Sequence, residues 1–110
     1  MRVINLTPHA IALDVDGQRV VYPASGMLAR CATRSVVVGV GPGGATMSAV
    51  EYGEVSGLPE AQADTMYIVS GLVRSALGTS RPDVVSPDSG PTAIRENGQV
   101  VAVRGWVGVA

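Results

Sequence analysis

The chain has 110 residues, 46% of them hydrophobic and only 15% charged, with a net charge of −1. That length fits one domain, large enough to bury roughly two-thirds of its unfolded surface but too small for separate cofactor and substrate domains. The eight basic residues are all Arg and lie scattered, which excludes the basic stripe of a nucleic-acid binder, and no apolar run approaches the ~20 residues that span a bilayer.

Val3 to Leu6 reads as a first strand, broken at Thr7-Pro8-His9 because Pro8 cannot donate to a ladder. Ala10 to Val15 and Gln18 to Tyr22 flank Asp16-Gly17, a strong two-residue hairpin signal. After the turn Pro23-Ala24-Ser25-Gly26, Met27 to Ala32 and Ser35 to Val40 are strand-like, the second rich in β-branched Val. Gly41-Pro42-Gly43-Gly44 reads as a loop and Thr46 to Val55 as a strand, ended by Ser56-Gly57-Leu58-Pro59. Gly39 to Gly44 matches G-x-G-x-x-G, but a dinucleotide site needs a helix to begin there, and the β-branched residues that follow favour a strand.

The character changes at Thr65 to Val69, a strand of buried type. Leu72, Val73, Ala76 and Leu77 then sit at helical spacing behind Ser70, with Gly78 placed to end the helix. Asp83-Val84-Val85 is a short strand followed by the loop Ser86 to Pro91. Thr92 to Arg95 and Gln99 to Arg104 flank Asn97-Gly98, a second hairpin signal. The resulting expectation is one α+β domain over residues 1–110, mostly antiparallel β with hairpins and one short helix in a strand–helix–strand unit.

About a dozen residues separate the two strands of that unit, enough for a parallel crossover. Ligands of parallel sheets collect at the carboxyl edge, and a helix N-terminus there favours anions. Ser70, Gly71, Arg81, Asp83, Asp88, Ser89 and Arg95 are therefore the expected ligand-binding residues, brought to one edge, with Arg95 just beyond the same loop. The competing structural reading makes Ser70 a helix cap, Asp88 and Ser89 turn formers, and Arg81–Asp83 a surface ion pair. His9, the single histidine, reads as a turn residue held by Thr7 or a backbone group. Cys31 lies between Arg30 and Arg34, yet reads better as a core residue than as a nucleophile, and as the single cysteine it permits no internal disulfide. Trp106 reads as packing against the core or a neighbouring subunit. Neither metal-ligand spacing nor a cofactor motif is present, and no catalytic residue is assigned.

Two blocks carry a resemblance. The first is Ile4-Asn5-Leu6-Thr7-Pro8-His9-Ala10-Ile11, continued by Tyr22 to Gly26 and Ala29-Arg30; the second is Gly57 to Glu60, Tyr67 to Ser70 and Arg81 to Pro91 with Arg95. Together they resemble a family of small proteins of phage and prophage genomes, and they leave only about Cys31 to Val50 without a familiar pattern. The resemblance implies a phage setting and the cytoplasm of a bacterial host, in keeping with an N-terminus that has no signal-peptide h-region. By analogy of setting and size, the leading expectation is a sponge: a non-catalytic protein that sequesters a nucleotide-derived, phosphorylated signal and so counters host defence. The alternatives are a phage structural or protein-interaction module without a small-molecule ligand, marked by an apolar face lacking a polar pocket, and a small nucleotide-acting hydrolase. The average globular chain carries about 25% charge. Such a shortage here points to surface covered by another copy, so a homo-oligomer is expected, without nucleic acid or membrane as partner.

Overall fold

The computed structural model describes residues 1–109. Its centre is a four-stranded mixed sheet of β1 (Arg2–Asn5), β6 (Thr65–Ile68), β7 (Val84–Pro87) and β10 (Trp106–Val107), in the order β1-β6-β7-β10. β6 runs parallel to both β1 and β7, and β10 closes the sheet antiparallel to β7. The remaining strands form three antiparallel hairpins: β2 (Ile11–Val15) with β3 (Gln18–Tyr22), β4 (Arg30–Val40) with β5 (Thr46–Ser56), and β8 (Ile94–Glu96) with β9 (Gln99–Ala102). One helix, α1 (Gly71–Leu77), joins β6 to β7. The fold is thus α+β and β-rich, with the helix inside the strand–helix–strand unit. The crossover is parallel, with Tyr67 beside Val84 and Ile68 beside Val85.

Local chemistry accounts for the turns. Asp16-Gly17 and Asn97-Gly98 both hold positive φ at their two central residues, 51° and 78° in the first, 52° and 79° in the second. These are the left-handed pairs of a type I′ turn, whose twist matches that of the flanking strands. α1 starts at Ser70, whose hydroxyl accepts from the Val73 N–H at 3.3 Å, and stops at Gly78, with φ of 58°. Gly57 has φ of +79°, and a Cβ there would lie 2.1 Å from the Leu28 carbonyl oxygen. The chain leaving β5 therefore passes the segment before β4 at a distance only glycine tolerates.

Several strand bounds differ from the sequence expectation, β7 among them: it leaves out Asp83 and takes in Ser86 and Pro87 of the expected loop, because β10 pairs with both. Met27 to Ala32 and Ser35 to Val40 are not two strands. Instead β4 runs unbroken from Arg30 because β5 pairs along its whole length, a register shift between Cys31 and Thr33 absorbing the irregularity. β8 begins at Ile94 because Ala93 N–H closes a turn onto the Gly90 carbonyl, at 3.1 Å. β10 was not anticipated, being only two residues long.

The core lies between the sheet and α1. Leu6, Ala29, Tyr67, Val69, Val73 and Val84 form its buried cluster, with Ile4, Cys31, Val55, Leu58 and Leu77 packed against it. Cys31 and Val55 stand at the base of the β4–β5 hairpin, so only that end of the hairpin is anchored. The rest stands away as an arm: Val37, Val38, Val40, Met47, Val50 and Tyr52 are all exposed. The radius of gyration is accordingly 16.2 Å, against about 13 Å for a compact chain of this length.

Candidate functional site

The seven expected ligand residues do not share one sheet edge. Arg81 and Asp83 precede β7, and the Asp83 carbonyl accepts from the Tyr67 N–H at 2.9 Å, which puts both at the amino end of the parallel strands. Ser70 and Gly71 follow β6, and Asp88 and Ser89 follow β7, at the opposite, carboxyl edge. The expected gathering fails at this point because Arg81 and Asp83 enter the strand that Asp88 leaves. Four residues of chain in strand conformation separate Asp83 from Asp88, a span of roughly 16 Å.

The side chains of Ser70, Arg81, Asp83, Asp88 and Arg95 are also already engaged. Arg81 grips Asp83 through two bonds, Nε to Oδ1 at 2.9 Å and Nη2 to Oδ2 at 2.8 Å, and Nη2 also donates to the Pro59 carbonyl at 2.9 Å. Its guanidinium lies 5.9 Å from the centre of the Tyr67 ring. The hydrogen bond from Arg81 holds the Asp83 carboxyl below its ordinary range, and Asp83 in turn raises the Arg81 guanidinium. At the carboxyl edge, Asp88 Oδ1 accepts from the Gly90 N–H at 3.0 Å. Arg95 donates to the Gly90 carbonyl at 3.0 Å and to the Ser89 carbonyl. Asp88, Ser89 and Arg95 thus meet in one loop, whose backbone engages the Asp88 carboxylate and the Arg95 guanidinium. Ser70 is spent as the helix cap, and α1 has only seven residues.

A hydrolase would need a positioned base, and only Asp83, Asp88 and His9 come into question; the first two are bound to Arg81 and to a turn N–H. The third, His9, is exposed, and its backbone carbonyl rather than its ring is used: Asn5 Nδ2 donates to it at 2.8 Å. Asn5 itself is buried and anchors the first turn, its Oδ1 accepting from the Thr7 N–H at 2.9 Å while Nδ2 also reaches the Tyr22 carbonyl at 3.0 Å. The Cys31 thiol lies against the Ala32 and Gly53 carbonyls at 3.4 and 3.3 Å. Among the described residues no group of His, Cys, Asp and Glu is placed to hold a metal ion. No helix among them is long and apolar enough to cross a membrane.

Two surfaces stand out instead. One is a hollow of about 210 Å³ on the sheet face away from α1, lined by Val3, Met66, Ile68, Val85, Tyr22 and Trp106 together with Met1. Trp106 meets Tyr22 edge-to-face, with centroids 5.9 Å apart. The other is the arm. From Ser35 to Val50 it carries no charged residue, and the glycine-rich run within this stretch is its tip, a short 3-10 turn at Pro42–Gly44 between the two strands. The signal for the arm was present in the sequence as an uncharged run of strand formers, but periodicity alone does not say whether such a run is buried. Arg74 was also overlooked. It is 5% exposed, and its guanidinium donates to the Arg81 carbonyl at 2.9 Å, the Val84 carbonyl at 2.7 Å and the Gly78 carbonyl. An Arg in the last helical turn before a C′ glycine was the available cue.

No protein-family model matches the chain, and no curated protein or solved structure matches it.

Proposed function

We propose that this chain is a non-catalytic, homo-oligomeric interaction module that assembles through the β4–β5 arm. One observation carries the reading: the arm is a two-stranded ribbon with apolar side chains exposed along most of its length and, among the described residues, covered by the rest of the chain at its base alone. An isolated two-stranded ribbon is marginal in water, and exposed apolar patches mark interaction sites. The low charge of the whole chain supports the same reading, and a small structural or accessory protein of a phage is a setting that suits it. Multi-angle light scattering tests it. The wild type is expected to be an assembly at micromolar concentration. Val37→Asp with Val50→Asp is expected to be monomeric while the core melts as in the wild type. A monomeric wild type overturns the reading.

A second reading, sequestration of a nucleotide-derived signal, is favoured by the aromatic hollow, whose Trp106 and Tyr22 offer faces to a planar ring. Stacking of a base on an aromatic side chain is worth about 1–3 kcal/mol. Calorimetric titration with cyclic dinucleotides and ADP-ribose is then expected to give heat that falls about tenfold in affinity in Trp106→Ala. No heat from the wild type ends this reading.

A further inference from the structure

The arm separates its charges by strand. β4 contains Arg30 and Arg34 and no acid, whereas β5 contains Glu51 and Glu54 and no base. The ribbon therefore has a basic edge and an acidic edge, both with unpaired backbone N–H and C=O groups, since the two strands form a sheet of their own. Open edges of this kind are templates for another strand. Between the register shifts at Cys31/Thr33 and Val37/Gly39 the pairing is regular, with Arg34 opposite Glu51 and joined to it by an ion pair.

We propose that the arm's partner is the arm of a second copy, joined head-to-tail with the β4 edge of one chain along the β5 edge of the next, so that the arms close into a ring of three or more copies. The inference rests on the assembly reading above and adds its geometry. Self-recognition follows from charge, because one arm presents both halves of a complementary pair. A seam of β4 against β4 puts only arginines on its two sides, and a seam of β5 against β5 only glutamates. A seam of β4 against β5 alternates the signs. With neighbouring arms in step, the joined strands run antiparallel, as they do within one hairpin, and Arg34 falls level with the neighbour's Glu51. Each chain then has one donor and one acceptor edge, an arrangement that ends only by closing on itself. Closure also removes both open edges and turns one apolar ribbon face towards the ring interior.

Native mass spectrometry of three proteins tests this. The first is the wild type, the second has an acidic arm (Arg30→Glu, Arg34→Glu), and the third a basic arm (Glu51→Arg, Glu54→Arg). The wild type is expected as one closed species of at least three copies whose mass does not grow with concentration. Each variant alone is expected as a monomer with wild-type core melting, and an equimolar mixture is expected to reassemble with an even number of alternating copies. A chain with all four substitutions, in which the charge pattern is only inverted, is expected to assemble as the wild type does; this holds the test open if either charged arm misfolds. A wild-type dimer, variants that assemble alone, a mixture that stays monomeric or an inverted chain that fails to assemble each overturn the head-to-tail inference and leave the assembly reading standing. A monomeric wild type overturns both.

Discussion

Val69, Val73 and Val84 in the core are at most 1% exposed, while Val37 and Val40 in the arm are 67% and 73% exposed. The residue type is the same, and so is its preference for extended backbone. What differs is the partner. Around β6, strands on both sides and α1 above give each side chain a layer to pack against. Beyond its base, the arm has among the described residues the other strand of the ribbon as its neighbour. The core is thus complete within one chain, whereas the arm's apolar surface gains from burial only when another chain arrives. On the assembly proposed above, stability of the single chain and association fall to different residues, and substitutions should divide accordingly.

The largest effect belongs to the core. Tyr67 is fully buried and its hydroxyl donates to the Glu60 carbonyl at 3.2 Å. Tyr67→Ala is expected to cost about 3–5 kcal/mol in chemical denaturation. A cost below about 1 kcal/mol would show that the core is looser than its burial implies. Next is Arg74→Met, which leaves the carbonyls of Gly78, Arg81 and Val84 without this donor. Its cost is expected at about 2–4 kcal/mol, with loss of amide protection in the crossover first.

Asp83→Asn weakens the two-pronged grip of Arg81, in a pair whose side chains are 20% and 16% exposed. The expected cost at neutral pH is about 1–2 kcal/mol. Because Arg81 lowers the Asp83 pKa in the folded state, the unfolded chain takes up the proton first. The contribution is present above the unfolded value of about 3.9 and fades as the pH falls below it. Wild-type melting temperature should therefore drop more steeply than that of Asp83→Asn below about pH 4. Equal slopes would mean that the pair is not formed in solution.

The smallest effect on the single chain is in the arm. Val37→Ser at high dilution is expected to change stability by less than about 0.5 kcal/mol, and yet to weaken association measurably in sedimentation. A core-sized loss of stability in the dilute monomer would break the division between the two regions.

Much of the fold was legible because it is written in neighbouring residues. Asp16-Gly17 and Asn97-Gly98 specify their hairpins with two residues each, and Ser70 and Gly78 bracket the helix. The chain length between the two strands allowed the parallel crossover that the structure shows. The position of β1 beside β6, and β10 as a fourth strand, depend on contacts distant in sequence, and two residues of β10 carry no periodicity. The expected site failed on direction rather than on residue type. Arg81 and Asp83 are charged and near a strand, but they enter it, and the edge they enter by faces away from Asp88. The arm's exposure was illegible for a related reason: a run of valines reads alike whether a layer covers it or not.

The pairing of β1 with β6 sets a kinetic problem that the hairpins ease. Asn5 must find Ile68, 63 positions further on, and closing a loop of about 60 residues carries an entropic cost of roughly 3.6 kcal/mol beyond the constant term. Hairpins zip locally on a timescale of about 1–10 μs. Once β2–β3 and β4–β5 have formed, Ile11 is beside Tyr22 and Arg30 beside Ser56. The intervening chain then behaves as a loop of only about 28 residues, which lowers the closure cost by about 0.7 kcal/mol. An arm that stands outside the finished core thus acts on the way there as a shortcut, drawing the first strand towards its place in the sheet.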